Sequence, residues 1–342
     1  REEEPLSTSG ICGSDPLAAT KNIDTFIEGN VNLDGTLVKS SLYVGGTLSF
    51  ENSPEVAQGG DIALPDLGSG SLYNGVGLFA NDVNWNAVSW TRIPTVTSGT
   101  LRVRGGTDVV IQSGNFDPPA PTSGPLSDPT AASSVQIQLI GGGDVFLPTG
   151  AELPIPPGPA FFELRACADR LAELPNSCNN GACADYAQLP TDYLGTATAP
   201  GPQLDLDLTD GQANVLNLPD RQNLYDLSLN GIQINPPADG ISEVTPLVIN
   251  VGNKPSESVI TFNPPEISAG GSAPIHIIWN FPNATEVHLV GDSGDFLRGT
   301  IMAPYSLVTS EIAIEGGVIA NRFEMSGPFL NQARSFEGVF GW

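Results

Sequence analysis

The chain has 342 residues, of which 39 are glycine, 30 are proline and 40% are hydrophobic. That is enough apolar material for a core, broken into short segments by turns, and it excludes a disordered chain. Only 13 Lys and Arg face 38 Asp and Glu, for a net charge of −25, which excludes nucleic acid and anionic membranes as natural partners.

The acidity reads as solubility in an extracellular or salty medium. The sharper alternative is binding of multivalent cations or a basic surface. No stretch approaches the roughly 18 apolar residues that a membrane span needs, so no membrane insertion is expected.

Residues 1–20 read as an irregular lead-in, tied down through Cys12. The start Arg1-Glu2-Glu3-Glu4 shows no leader, so a mature or trimmed form is expected. Cys12, Cys167, Cys178 and Cys183 make an even set without a CxxC pair, and His276 and His288 are the two histidines. A zinc site is therefore not expected. Two disulfides in an oxidising compartment are, with all three connectivities open. Three of the four cysteines crowd one short span, so at least one bridge should staple the region after the helix described below.

From residue 21 onward the sequence reads as one β-rich domain reaching residue 342. Short extended runs from 23 to 50 are punctuated by glycine. Gly35-Thr36-Leu37 and Gly46-Thr47-Leu48 read as the starts of two runs, and Gly99-Thr100-Leu101 as the start of a later one. The pattern persists to residue 114. Trp85 and Trp90 read as core or groove packing rather than a sugar platform, and Arg102 and Arg104 form a basic pair on one strand face. Residues 116–134, rich in Pro and Ser, form a surface excursion.

Strand returns at 135–146. Leu147-Pro148-Thr149-Gly150 is one residue short of a wall-sorting pattern and far from Trp342, so it is set aside; any anchor is expected beyond Trp342.

A proline-rich connector then delivers one helix over about 160–174. Pro159 suits its first turn. Phe161, Leu164, Ala168, Leu171 and Ala172 fall on one stripe, Glu163, Asp169, Arg170 and Glu173 on the other, and Pro175 stops it. A lone amphipathic helix in a β-rich chain must cover an apolar flank of the sheets. Cys167 sits at the edge of the stripe.

Strands resume from Gln203 through LDLDL, ANVLNL, PLVINVG and SVITFN. Asp205, Asp207 and Asp210 resemble half of a calcium loop, but the spacing is wrong and no closing Glu follows. They read as the wet side of a strand. No cofactor is expected; a structural calcium held by corner loops stays open, without a place.

Residues 275–326 carry the clearest signal. Ile275, Ile277 and Trp279 alternate with His276, Ile278 and Asn280, apolar on both faces, as in a buried strand. Gly299-Thr300-Ile301-Met302-Ala303 matches Gly316-Gly317-Val318-Ile319-Ala320 at an offset of 17, compatible with one turn of a β-helix. A glycine opens each run, where a side chain would crowd the corner. The GDSG of Gly291–Gly294 matches the serine-protease nucleophile tetrapeptide. Neither His288 nor His276 carries the rest of that signature, so it reads as a turn. Asn283-Ala284-Thr285 is a glycosylation sequon or simply the turn after the WNF strand. The tail 336–342 reads as a final strand closing against the N-terminal runs.

WNFPNAT, GTIMAP and GGVIAN, together with Phe26-Ile27-Glu28-Gly29-Asn30-Val31-Asn32-Leu33-Asp34-Gly35 and Leu42-Tyr43-Val44-Gly45-Gly46, resemble the choice-of-anchor A domain, within the ice-binding-like adhesive group. The resemblance touches both ends of the chain. It implies an all-β fold with one flanking helix: a right-handed β-solenoid (β-helix), like an ice-binding protein, secreted or on the cell surface, without established catalytic residues.

The expectation is therefore a non-enzymatic adhesive or structural module facing an extracellular matrix, a cell-surface or glycan ligand, or a solid. An ice- or glycan-binding module on the same scaffold is the alternative. No sustained TxT ladder supports ice. A polysaccharide-active enzyme is the outsider, because the acids are scattered rather than convergent.

Overall fold

The computed structural model describes Cys12 and residues 25–34, 37–38, 42–51, 55–56, 76–85, 95–96, 100–103, 109–113, 135–139, 145–146, 157–175, 195–196, 199–200, 204–208, 214–218, 232–235, 247–252, 259–264, 267–269, 277–326 except Ser293, and 329–330. Among these the molecule is mostly β, with a single helix, Pro157–Ala172. The pairings are parallel throughout, apart from the small antiparallel ladder of Gly195–Thr196 with Ala199–Pro200.

Successive strands move between a 13-stranded and an 8-stranded sheet. Phe296–Arg298 lies in the smaller sheet, Thr300–Ser310 in the larger, Ala313–Glu315 in the smaller, Val318–Met325 in the larger and Phe329–Leu330 in the smaller. The N-terminal strands alternate likewise through Leu42–Glu51, Glu55–Val56, Val76–Trp85 and Thr95–Val96. Strands this short cannot bury an apolar face alone, so each depends on the one stacked beside it.

The two chain ends meet inside the larger sheet. Thr25–Ile27 lies between Val318–Met325 and Leu42–Glu51, with Phe26 opposite both Ile319 and Tyr43. The offset of 17 becomes real pairing, Ile301 against Val318 and Met302 against Ile319. Beyond the corner at Pro304–Ser306 the register shifts and Leu307 faces Arg322. One strand thus bends at a bulge and serves two faces.

Gly316 is required at its corner, because a Cβ there would lie 1.9 Å from the Gly299 carbonyl oxygen. Gly46 corrects an expectation. It sits inside Leu42–Glu51 rather than opening a strand, at a register shift where a Cβ would lie 2.4 Å from Asn30 Oδ1.

Ile277–Asn280 is buried on both faces, as its pattern predicts. Ile277 and Trp279 point into the main core with Ile249, Ile301 and Val318. Trp279 satisfies its indole by donating Nε1 to the Arg298 carbonyl at 2.7 Å. Ile278 points the other way, into a second core that the helix completes.

In that second core Phe161, Leu164, Cys167, Ala168 and Leu171 pack on Phe26, Tyr43, Val215, Val248, Ile278, Met302 and Ile319. Each large apolar side chain so buried contributes roughly 1.5–3 kcal/mol. The Phe26 and Phe161 rings stack with centroids 5.1 Å apart.

The helix starts three residues earlier than its periodicity suggests, since Pro157 and Pro159 occupy a first turn whose N–H groups need no helical partner. It ends at Ala172, where tighter bonds take over: Glu173 N to Arg170 O and Leu174 N to Leu171 O. Cys167, beside the stripe, is fully buried and is joined in a disulfide to Cys12, the residue expected to tie down the lead-in. The expected excursion at 116–134 and the tail strand at 336–342 lie outside the described residues.

Candidate binding face and helix seam

The larger sheet has one side under the helix and one side that the helix leaves uncovered. The uncovered side is built from Val259–Phe262, Glu286–Leu289, the C-terminal part of Thr300–Ser310, the C-terminal part of Val318–Met325, Val31–Asp34 and the second half of Leu42–Glu51.

Alternate residues of these strands point inward. Ile260, Val287, Val308, Phe323, Val31 and Leu48 are all buried. The residues between them form outward rows. One row runs Thr261, His288, Thr309, Glu324, Asn32, Ser49 in unbroken register. A second runs Val259, Glu286, Leu307, Arg322. Parallel pairing sets about 4.8 Å between neighbours in a row, so this side is a regularly spaced but mixed lattice, a mostly polar first row beside a second that includes Val259 and Leu307.

His288 is locked in the first row. Its Nδ1 lies 2.7 Å from Thr309 Oγ1 and its Nε2 3.2 Å from Glu286 Oε2. Both ring nitrogens are thus committed within the lattice. The GDSG segment forms a turn, with Asp292 N donating to Asp295 Oδ2 at 2.6 Å and Asp295 N donating to Asp292 O at 2.9 Å. Gly294 holds φ +113°, a left-handed position that suits glycine. His276 and Ser293 lie outside the described residues. Among the described residues no group of three or more His, Cys, Asp or Glu side chains converges as metal ligands would.

The remaining sequence candidates fall as follows. Asp207 is exposed between buried Leu206 and Leu208, on the wet side of its strand. The side chains of Asp205, Trp85 and Arg102, and residues Cys178, Cys183, Trp90, Arg104 and Asp210, lie outside the described residues. Asn283 is half-buried in the turn between Ile277–Asn280 and Glu286–Leu289. The neighbouring Ala284 carbonyl accepts Ser306 Oγ at 2.7 Å.

Two polar arrangements fasten the helix, and sequence reasoning missed both. The first is a ladder of Asn217, Asn250 and Asn280, stacked in register. Asn280 Nδ2 donates to Asn250 Oδ1 at 2.7 Å, and Asn250 Nδ2 to Asn217 Oδ1 at 2.6 Å. Each amide also donates to a carbonyl of the helix or of the turn just past it: Asn280 to Ala168, Asn250 to Leu171 and Asn217 to Leu174, all at 2.9 Å. The carbonyls recur every three residues, so successive sheet strands meet successive helix turns. A signal was present: each Asn ends an apolar triplet, VLN, VIN and IWN.

The second arrangement lies at the corner. Arg165 forms an ion pair with Glu28 and donates Nε to the Pro304 carbonyl at 3.3 Å. Glu28 Oε2 also accepts Asn321 Nδ2 at 2.8 Å. Tyr305 donates its hydroxyl to Asp169 Oδ2 at 3.0 Å, and the Arg165 guanidinium lies 5.4 Å from the Tyr305 ring centroid. Burial, then the hydrogen bond to Asp169 and its charge, push the Tyr305 phenol up, against an opposing pull from Arg165.

Comparison with known proteins gives three results. No curated protein matches the chain significantly. A solved ice-binding protein from the Antarctic ascomycete Antarctomyces psychrotrophicus aligns with 12% identity over 94% of this chain and 100% of its own, at a TM-score of 0.38. The model of the ice-binding-like adhesive domain matches residues 16–331. With its parallel ladders, alternating sheets and side helix in one molecule, the chain belongs to the ice-binding-like adhesive domain family.

Proposed function

We propose that residues 21–342 form one right-handed β-solenoid and that its uncovered side attaches the protein, without catalysis or a cofactor, to an extracellular matrix, a cell surface or a solid. What carries this reading is the Thr261–Ser49 row: six side chains in continuous register, Glu324 exposed and the other five half-buried, on a side that no described helix covers. The sheet-to-sheet alternation and the meeting of chain ends support coils stacked in one column. The Cys12–Cys167 disulfide supports an oxidising, extracellular setting.

A flat face recognises by many weak, repeated contacts, so its specificity lies in spacing rather than in a pocket. Four of the row's members, Thr261, Thr309, Asn32 and Ser49, are short and uncharged, which favours ice as the second reading. His288 and Glu324 interrupt the row, which favours a polar biological surface.

The test is adsorption of fluorescent protein to fixed cells, extracellular matrix, mineral particles and ice, with Thr309→Tyr and Thr261→Tyr as protruding substitutions. Wild type should adsorb to at least one surface, and each variant should lose about ten-fold in affinity; Thr261→Tyr should unfold at the wild-type denaturant midpoint, whereas Thr309→Tyr also gives up the bond to His288. Adsorption unchanged in both variants would reject the face. Inhibition of ice recrystallisation as the sole activity would select the second reading.

A further inference from the structure

His288 is half-buried within the first row of the uncovered side, and its two hydrogen-bond partners differ in kind. Thr309 Oγ1, at 2.7 Å from Nδ1, can donate or accept. Glu286 Oε2, at 3.2 Å from Nε2, belongs to a carboxylate that only accepts when ionised. Nε2 must therefore carry a hydrogen and donate it. In the neutral ring that leaves Nδ1 bare, as an acceptor. Thr309 then donates its hydroxyl inward to Nδ1 and keeps only lone pairs for whatever lies outside.

One proton changes this. An imidazolium donates from both nitrogens. Nδ1 then donates to Thr309 Oγ1, the hydroxyl no longer donates back, and its hydrogen is released to the outside. The bond from Nε2 to Glu286 is kept and becomes charge-assisted. Neither contact is lost, but one of them reverses. The surrounding charges are few among the described residues. Glu286 stands on the same strand. Val259–Phe262 brings Val259 and Thr261 alongside, and Thr300–Ser310 brings Leu307 and Thr309, all uncharged. Exposed Glu311 follows the end of that strand, and Arg322 and Glu324 lie one strand further. A proton on His288 thus sets two cations, in place of one, against three carboxylates.

We propose that His288 is a proton-operated switch inside the attachment face: between pH 8 and pH 5.5 it gains a proton, reverses its bond with Thr309 and turns the Thr309 hydroxyl outward as a donor. The switch rests on the uncovered side being the attachment face, and supplies its regulation. Imidazole is the side chain whose charge changes in this pH range. A matrix or cell surface presenting carbonyl and carboxylate oxygens is then held more tightly in acid.

Two measurements test the switch on the whole chain. Long-range proton–nitrogen NMR reads the ring directly, with His288→Gln assigning its signal. At pH 8 His288 should carry hydrogen on Nε2 alone, and at pH 5.5 on both nitrogens. Glu286→Gln, whose amide both donates and accepts, should give a mixture of tautomers at pH 8. A hydrogen on Nδ1 of wild type at pH 8 would overturn the proposal, whatever the protein attaches to. The second measurement is adsorption to fixed cells and extracellular matrix at the same two pH values. Wild type should bind about five-fold more tightly at pH 5.5. His288→Gln, always neutral, should bind equally at both. Thr309→Val lets the ring charge but has no hydroxyl to reverse, so it should keep only about a two-fold change. A full pH effect in Thr309→Val would reject the reversal. Wild-type adsorption equal at both pH values would reject the switch and leave the attachment face standing, whereas no adsorption at either pH would remove the face and its regulation together.

Discussion

Replacing Asn250 by alanine is the most demanding test of how the helix is held. Asn250 is fully buried in the middle of the asparagine ladder. It donates to Leu171 O and to Asn217 Oδ1, and accepts from Asn280 Nδ2. The substitution removes all three bonds, at about 1 kcal/mol each. It also leaves two oxygens short of a donor, Leu171 O and the half-buried Asn217 Oδ1, and an unsatisfied buried acceptor costs about 1–3 kcal/mol. Part of that cost is offset, because Leu171 O keeps the Leu174 amide and Asn280 keeps Ala168. The expected loss is roughly 3–4 kcal/mol. Asn217→Ala is the internal control: among the described residues Asn217 stands at the end of the ladder, and it is half-buried, so solvent can replace these two partners at about 1–2 kcal/mol. Urea unfolding followed by far-UV circular dichroism measures both, and amide exchange over 168–174 should accelerate selectively in the Asn250 variant. A double-mutant cycle of Asn250 and Asn280 should give a coupling of about 1 kcal/mol. An Asn250→Ala loss under about 1 kcal/mol, or one no larger than that of Asn217→Ala, would refute the reasoning, since the ladder would then be ornament on a helix held by apolar contact alone.

Three further outcomes follow from the same geometry. Gly316→Ala should cost about 3 kcal/mol or more or abolish soluble expression, because its Cβ would meet the Gly299 carbonyl at 1.9 Å; Gly158→Ala, with nothing within 4 Å, should be neutral or stabilising by up to about 1 kcal/mol. Reducing Cys12–Cys167, or replacing both cysteines by alanine, should lower stability by about 2–5 kcal/mol, because the bridge closes a sequence separation of 155 residues; unchanged unfolding under reductant would rule this out. The Tyr305 phenol holds its proton more tightly folded than unfolded, so its contribution is present below its ordinary pKa of 10.0 and is lost as pH rises through the raised folded value. Tyr305→Phe should therefore flatten the alkaline fall of the urea midpoint, and parallel curves for the two proteins would contradict the assignment.

Local pattern was a good guide wherever one strand's own side chains set its environment. The two-sided apolar run at Ile277–Asn280 foretold burial on both faces, and the helix stripe at Phe161, Leu164, Ala168 and Leu171 foretold what docks. The recurrence at an offset of 17 foretold the Ile301–Val318 pairing, because these strands bury the same faces in adjacent layers. Pattern failed at Gly46. The tripeptide Gly-Thr-Leu looks alike at a corner and at a bulge, and only the approach of Asn30 from another strand decides between them. It left the partner of Cys167 open, because that partner lies 155 residues away.

The candidate face was hidden for a related reason. Asn32 and Ser49 join Thr261, His288, Thr309 and Glu324 only when Val31–Asp34 is laid between Val318–Met325 and Leu42–Glu51. Short parallel strands rich in Val, Ile and Leu bury equivalent faces, so their composition says little about who pairs with whom. The choice is made by features that are irregular along the chain: the glycine at a crowded corner, the register shift past Pro304–Ser306 and the asparagines that match helix turns to strand spacing. These irregular positions set the stacking order, and the order alone converts scattered polar residues into a continuous row. Substitutions at Gly316 or Asn250 should therefore disturb attachment through the lattice they align, whereas Thr261→Tyr should disturb it by protruding from a lattice that stays intact. Measuring adsorption and unfolding on the same three variants separates these routes, since only the first two should lose both together.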